Sequence, residues 1–404
     1  MNVLVINCGS SSIKYGLYEM PGDRLLGRGK VDRIAHQPAE FEYEDVEGEQ
    51  HSREVAVDDH AQGARMILDH VLNGGNGPIS GGRVEAVGHR IVHGGDVESQ
   101  AVFIDNNVMD RIERFAPMAP LHNPPALAAM RTVMEIVSDV PHVACFDTAF
   151  HRTIPDAAFM YALPRSFHDE HAVRRYGFHG ISFRFVCERA AALLDLRGDE
   201  LNAVACHLGN GCSIAAVRHG RSIDTSMGMT PLEGLVMGTR AGDIDPGILF
   251  HLIEKGFDPA ELERIMNAES GLLGLSGVSR DVRDVLQAAG QGNEDAQLAV
   301  RVFCYRLKKY IGAYIAVLGQ PHAVIFTGGI GENAASIRGQ TCADMHHLGI
   351  DIDAERNRAA VGTEADITAD TSRVRVLVIP TNEELAIAAD TYRLLARQSS
   401  LAVG

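Results

Sequence analysis

Two patterns of apolar and polar positions alternate along the chain. Val3-Leu4-Val5-Ile6 is apolar at every position, as expected of a strand covered on both faces inside an α/β sheet. A polar loop, Asn7-Cys8-Gly9-Ser10-Ser11-Ser12, separates it from a second strand-like run, Ile13 to Tyr18. The same order recurs downstream, where Ala203 to Leu208 runs into Gly209-Asn210-Gly211 and then Cys212-Ser213-Ile214-Ala215. Gly9 maps onto Gly209 without a gap, and one extra residue brings Ser12-Ile13 onto Ser213-Ile214. The chain therefore reads as two copies of one strand-loop-strand unit, one in each half, with chance likeness of two short hairpins as the competing reading.

Other elements follow from spacing. Phe41 to Val57 alternates like an exposed hairpin, Ala61 to Leu72 has helical spacing, and Asn73 to Gly82 is a glycine-rich surface loop. Strands are expected over Arg83–Val92, His142–Phe146, Ala323–Thr327 and Val374–Ile379. A helix should start near Ala126, with Asn123 as its cap and Pro124 and Pro125 in its first turn. Residues 293 to 318 carry the longest helical pattern, and Pro380 to Glu384 cap a last helix that ends near Ala396.

A length of 404 residues exceeds what one core usually serves, so two domains are expected, and 46% hydrophobic with 22% charged residues is ordinary globular composition. The net charge of -16 argues against nucleic acid or an anionic membrane as partner, because both require basic footprints. Any cations that serve an anionic substrate must then be local. Seven cysteines without a C-x-x-C pair read as reduced, buried thiols of a cytoplasmic protein. With no leader pattern and no apolar run near the ~18 residues of a membrane helix, the chain is expected to be soluble and not exported.

Candidate chemistry clusters at the loops. Ser10, Ser12 and Lys14 share a strand face beside the backbone N–H groups around Gly9, a donor-rich concavity suited to phosphate. It is not a Walker loop, since no G-K-S/T ends it and a strand follows. Arg90 sits in a mostly apolar strand that ends in His93-Gly94-Gly95; such an arginine needs either a substrate or a buried carboxylate as partner. His89 and His93 read as structural, for want of a third ligand. His122 lies at a helix mouth, and Asp147 at the carboxyl end of a buried strand, where α/β folds place functional groups, although it could equally cap a turn. Arg174 to Ser182 packs cations, aromatics and His179 between glycines, and Gly238 to Gly247 is built around a second isolated arginine, Arg240. His168, His171 and His179 lack a zinc spacing. Ser279 to Asp284 is charged and reads equally as a solvated helix start. Gly328 to Asn333 follows a buried strand and opens a helix, the arrangement that meets a nucleotide.

Taken together, N-x-G-S-S-S-x-K at Asn7 to Lys14, H-R-I-V-H-G-G at His89 to Gly95, G-F-H-G at Gly177 to Gly180, H-L-G-N-G at His207 to Gly211, G-T-R-A-G-D-I-D-P at Gly238 to Pro246 and T-N-E-E at Thr381 to Glu384 resemble the acetate kinase family. The resemblance covers nearly the whole chain. It implies an α/β fold of two duplicated actin-like ATPase domains, ribonuclease H-like in architecture, around an interdomain cleft. Domain I would be residues 1–150 plus 385–404, domain II residues 151–384, and the protein a homodimer. It implies reversible phosphoryl transfer between ATP and acetate, giving ADP and acetyl phosphate, with a propionate or butyrate kinase as the alternative. Asn7 and Glu383 would hold Mg²⁺, or Mn²⁺ in its place. Arg90, Arg240, His179 and Asp147 would be catalytic, with His122 contacting phosphate and the acyl methyl lying among Val92, Leu121, Phe178 and Pro231. His207, Leu208, Gly209, Asn210 and Gly211 would contact ATP, as would Asp281, Val282 and Arg283 and the turn Gly329, Ile330, Gly331, Glu332 and Asn333. Val282 departs from the aromatic residue often found there in the family. A non-catalytic ATP switch would not need Arg90, Arg240 and His179 together, and a metallohydrolase would need a ligand set that the histidines do not form.

Overall fold

The first strand explains the first unit. In a computed structural model, which describes residues 1–36, 38–45, 48–73, 83–96, 99–120 and 122–402, β1 (Asn2–Cys8) is buried on both faces. Leu4 and Ile6 join a core with Ile67, Leu68, Met130 and Val133, contributed by the helices His60–Asn73 and Asn123–Ile136. The alternate residues Val3, Val5 and Asn7 point the other way, toward the C-terminal helix Glu383–Ala402, which packs on β1. Burying each aliphatic side chain contributes roughly 1.5–3 kcal/mol, so a strand sandwiched in this way is a rigid mount for the loop that leaves it.

The chain divides into two units, Met1–Ala149 with Asn382–Gly404, and Phe150–Thr381. The first holds β2 (Ser12–Glu19), β3 (Arg24–Asp32), β4 (Ala39–Glu44), β5 (Gln50–Val55), β6 (Ala86–Ile91), β7 (Ala101–Phe103) and β8 (His142–Phe146) in the order β5-β4-β3-β2-β1-β6-β8-β7. The hairpin expected over 41–57 is β4 paired antiparallel with β5. The C-terminal helix presses so closely on β6 that a Cβ at Gly88 would lie 2.6 Å from Thr391 Oγ1. Because the chain re-enters this unit at Asn382, Glu383 and Glu384 open a helix of the first unit.

In the second unit β9 (Ala203–Leu208), β10 (Cys212–Arg218), β11 (Arg221–Thr225), β12 (Ala323–Thr327), β13 (Ala365–Asp366) and β14 (Arg375–Val378) run in the order β11-β10-β9-β12-β14-β13. The helix Gly180–Leu193 packs Phe183, Val186 and Ala190 against Ala205, Val217 and Ile325 of one sheet face. The 25-residue helix Glu294–Leu318, the longest expected, packs on β9 and β10 and is capped by the Asn293 side chain.

Strand for strand, β3-β2-β1-β6-β8-β7 repeats as β11-β10-β9-β12-β14-β13, with the same parallel and antiparallel pairings. The fold is a duplicated α/β unit. Backbone pairing changes the register read from sequence, however. Cys8 pairs with Ile13 across the four residues Gly9 to Ser12, whereas Leu208 pairs with Cys212 across the three residues Gly209 to Gly211. The second turn is shorter by one, so Ile13 corresponds to Cys212 and Lys14 to Ser213.

A second correction concerns Asn123. The helix expected near Ala126 begins at Asn123 with both prolines in its first turn, and His122 occupies the cap position. The Asn123 carboxamide is fully buried; it accepts from His93 N at 3.1 Å and donates to His93 O at 2.9 Å, tying the helix to the Gly94-Gly95 turn. Buried amide groups need partners, and that need outranks capping here. No helix among the described residues is long and apolar enough to cross a membrane.

Candidate functional site

In the first unit the carboxyl ends of β1, β6 and β8 and the start of the C-terminal helix bring Asn7, Arg90, Asp147, Glu383 and Glu384 together. Arg90 donates from Nη2 to Asp147 Oδ2 at 2.7 Å, from Nε to Asp147 Oδ1 at 3.3 Å and from Nη1 to Asn7 Oδ1 at 3.0 Å. Glu383 Oε2 lies 3.5 Å from Nε. Asp147 is 1% exposed and Arg90 11%, so this is a buried, bidentate ion pair of the strong kind. Burial alone would pull the Arg90 pKa down; Asp147 and Glu383 more than reverse that, and the guanidinium stays charged at any working pH. Of the two partners open to Arg90 in the sequence, the carboxylate is present. Asn7 in turn donates from Nδ2 to Glu384 Oε1 at 2.8 Å and to Glu383 Oε2 at 3.5 Å.

A hard divalent cation requires oxygen donors. The Glu383 and Glu384 carboxylates provide them at the helix start. The Asn7 oxygen accepts from Arg90 and keeps a second lone pair, while its amide nitrogen faces the carboxylates. The donor set therefore fits Mg²⁺ through the glutamates, with Asn7 orienting them. Ser10 and Lys14 are exposed beside the turn and Ser12 is half-buried at the start of β2, while Gly9 N donates to Ser12 O at 2.8 Å to close it. Val92 is buried just beyond β6, and His122 is half-buried at its helix mouth. Leu121 lies outside the described residues.

The second unit collects a different set. His179 precedes the helix Gly180–Leu193 in a left-handed conformation, φ 57°, which costs a residue with a side chain ~1–3 kcal/mol. Its ring stacks on His207 with centroids 4.1 Å apart. The Ser182 hydroxyl lies 2.8 Å from both Thr381 Oγ1 and His207 Nδ1 and hydrogen-bonds with each. A Cβ at Gly211 would lie 3.3 Å from both Arg240 Nη1 and His179 Nε2. The missing side chain leaves open the space that these two donors share.

Arg240 itself donates from Nη1 only to Pro231 O, at 3.2 Å, and to Met237 Sδ, at 3.8 Å. Among the described residues it has no carboxylate partner, and burial holds its pKa below the usual arginine value. The loop that carries Pro231 is clamped from behind: Arg175 Nη2 donates to Glu233 Oε1 at 2.7 Å, and Nη1 donates to the carbonyls of Thr225, Ser226 and Met227. Phe178 is buried, and its carbonyl is held by His151 Nε2 at 2.9 Å. Burial drops the His151 pKa to about 4, leaving a neutral donor.

The residues expected at a nucleotide gather around the ends of β9 and β12. Gly328, at φ +76°, lets its turn close on β9, since a Cβ there would lie 2.7 Å from Leu208 O. Gly238 similarly brings the Asn210 carboxamide beside the carbonyl of Arg280, next to the helix Val282–Gly290. Leu208 is buried, Asn210 and Gly329 are exposed, and Ile330 and Gly331 are buried in the turn. Glu332 spends its carboxylate inward, accepting from Gly328 N at 2.8 Å and Thr381 N at 3.1 Å, and Asn333 donates to Gly329 O at 2.9 Å. Asp281 caps its helix through Arg283 N and chelates the exposed Arg283 side chain, while Val282 is buried. The sequence reading assigned no role to Glu384, Ser182, Thr381 or Arg175. All four lie within or beside the matched motifs, but a supporting hydrogen bond leaves no periodic trace.

Comparison with known proteins identifies the family. Residues 2–389 match the model of the Acetokinase family. The chain is 46% identical over 401 residues to the acetate kinase of Clostridium novyi, covering 99% of this chain and all of that one. It is 45% identical to the acetate kinase of Thermotoga maritima, covering 98% and 99%. Among solved structures, Porphyromonas gingivalis acetate kinase matches with TM-score 0.90 and 43% identity over 98% of this chain and 99% of that one. A propionate kinase from Francisella tularensis matches with TM-score 0.90 and 38% identity over 97% and 99%. The chain belongs to the acetokinase family.

Proposed function

We propose that the protein is an acetate kinase that transfers the γ-phosphoryl group of ATP to acetate and runs the reverse reaction. The observation that carries this reading is Arg240, a half-buried cation without a carboxylate partner among the described residues, set with His179 across the space that Gly211 leaves. Such a pair suits an oxyanion that arrives and leaves. In the forward step an acetate oxygen forms a bond to the γ-phosphorus while the bond from that phosphorus to the bridging oxygen breaks, and ADP keeps the electron pair. Acetate is already ionised at neutral pH, so no general base is needed and catalysis rests on positioning and charge stabilisation. Arg240 and His179 donate to the phosphoryl oxygens as charge develops. Arg90, held by Asp147, keeps a fixed orientation with two further N–H groups available for substrate. Mg²⁺ bound at Glu383 and Glu384 would supply charge neutralisation for the polyphosphate. The loop Gly209–Gly211, the turn Gly329–Asn333 and Asp281–Arg283 contact the nucleotide.

Incubation with MgATP, acetate and hydroxylamine should accumulate acetyl hydroxamate, and no hydroxamate with any short carboxylate would sink the kinase reading. The likeness to a propionate kinase favours one alternative, which faster hydroxamate formation from propionate would establish. We also infer a cytoplasmic homodimer. Seven free, buried thiols support a reducing compartment. For the dimer, the helix Gly247–Glu254 buries none of its residues and exposes Ile248, Phe250 and Ile253, an apolar face that a second copy would cover. Light scattering should give twice the chain mass, and Phe250→Glu should lower it; a wild-type monomer would refute the assembly.

A further inference from the structure

Arg338 is the largest fully buried residue among those described, and no step above uses it. It lies on the helix Ala335–Cys342, directly after the glycine turn. Its guanidinium donates from Nη1 to Gly331 O at 2.8 Å, from Nε to Asn357 Oδ1 at 2.8 Å, and from Nη2 to the carbonyls of Asn357 and Ala360, both at 2.7 Å. None of these acceptors is charged. Burial lowers its pKa to about 10, so it remains cationic at neutral pH. Burying a cation against neutral carbonyls is costly, and an apolar side chain would fill the same volume without that cost. What the guanidinium provides is geometry, because its rigid fork can hold three separate backbone carbonyls in one plane.

Those carbonyls belong to two segments, the turn Gly328–Asn333 and the stretch 357–360, which are also joined where Gly362 N donates to Glu332 O at 3.3 Å. With Gly331 O drawn inward, the turn presents exposed Gly329 and Asn333 outward. We propose that Arg338 is a positioning residue for the nucleotide: it staples 357–360 to the glycine turn, so that the turn meets ATP already shaped. This rests on the assignment of that turn to the nucleotide.

The test compares two substrates. In Arg338→Met, KM for MgATP should rise about tenfold or more while KM for acetate changes by less than about twofold, with Arg338→Lys in between. A packing role would lower thermal stability without separating the two constants, so unchanged or equally raised KM values overturn the proposal. Should Arg338→Met fail to fold, hydrogen exchange on the wild-type protein decides. ADP should slow exchange of the amides of 328–333 and 357–362 together, and protection of the turn alone overturns it. If ADP protects neither segment, the turn is not the nucleotide site. A wild-type protein that makes no acyl phosphate would instead remove the kinase reading, leaving the ADP experiment to judge the staple.

Discussion

The two units share one strand order and use it to opposite electrostatic ends. In the first, the arginine beyond the central strand is met by Asp147, Asn7 and Glu383, and every charge has a close partner. In the second, Arg240 has only a carbonyl and a sulfur, beside His179, and His151 is kept neutral by burial with His179 and Arg175 close by. One unit holds a closed ion-pair network with further carboxylates beside it; the other holds Arg240 with no carboxylate partner among the described residues. Duplication supplied the scaffold, but the two arginines do not occupy matching positions: Arg90 lies within β6, whereas Arg240 lies in the loop that follows β11.

The sharpest way to break this comparison is to remove each arginine. Arg90→Ala leaves Asp147 buried without its cation, so unfolding free energy should fall by ~3–5 kcal/mol, and Asp147→Asn added to it should restore part of the loss. Urea denaturation of the single and double variants measures this. An Arg90→Ala protein as stable as wild type would mean that the pair is not closed in solution.

Acid should strain the second unit through His151. Its folded pKa of about 4 lies below the unfolded value of ~6.5, so between these values the unfolded chain binds more protons. The stability it contributes is complete above pH ~6.5 and is lost as pH falls toward 4, at most roughly 3 kcal/mol. His151→Gln should flatten the dependence of Tm on pH between about 6.5 and 5; an unchanged slope would assign the loss to other groups, such as the buried His89.

Arg240→Ala should behave in the reverse sense to Arg90→Ala. Taking away a half-buried cation with no carboxylate partner among the described residues should leave Tm unchanged or higher, while kcat falls by on the order of 10²-fold or more. Loss of stability together with near-normal kcat would make the two arginines alike and dissolve the comparison.

Much of this was legible before any coordinates. The apolar runs at Val3–Ile6, Ala203–Leu208 and Ala323–Thr327 announce central strands, because both faces are covered. The repeat between Gly9 and Gly209 announces duplication. What the sequence could not reveal is which of two isolated arginines is paired. Asp147 lies 57 residues from Arg90, and only strand adjacency joins them. The register of the second turn was hidden for a similar reason: similarity of Ser-Ile pairs favours one alignment, and backbone hydrogen bonds decide for another. Asn123 looked like a cap because capping is a local rule, whereas its burial against His93 is a tertiary fact.

The smallest expected effects concern the acyl group, and they ask of each unit by itself whether its apolar side chain bears on chain length. Each unit places an apolar side chain beside a candidate site residue: Val92 two residues after Arg90, and Phe178 immediately before His179, both buried. The wild-type protein should show kcat/KM in the order acetate, propionate, butyrate. Each added methylene is discriminated by only ~1–3 kcal/mol, so the selectivity per carbon is about tenfold to two-hundredfold. Val92→Ala removes a stiff β-branched group and should raise the propionate-to-acetate ratio, at a modest loss of stability from the cavity. Phe178→Leu, chosen because truncation to alanine would cost ~3–5 kcal/mol in the core, should raise the same ratio less. A ratio that moves only in Phe178→Leu would give chain-length selection to the second unit alone and confine the first unit to charge. A ratio that moves in neither variant would remove both side chains from the acyl pocket.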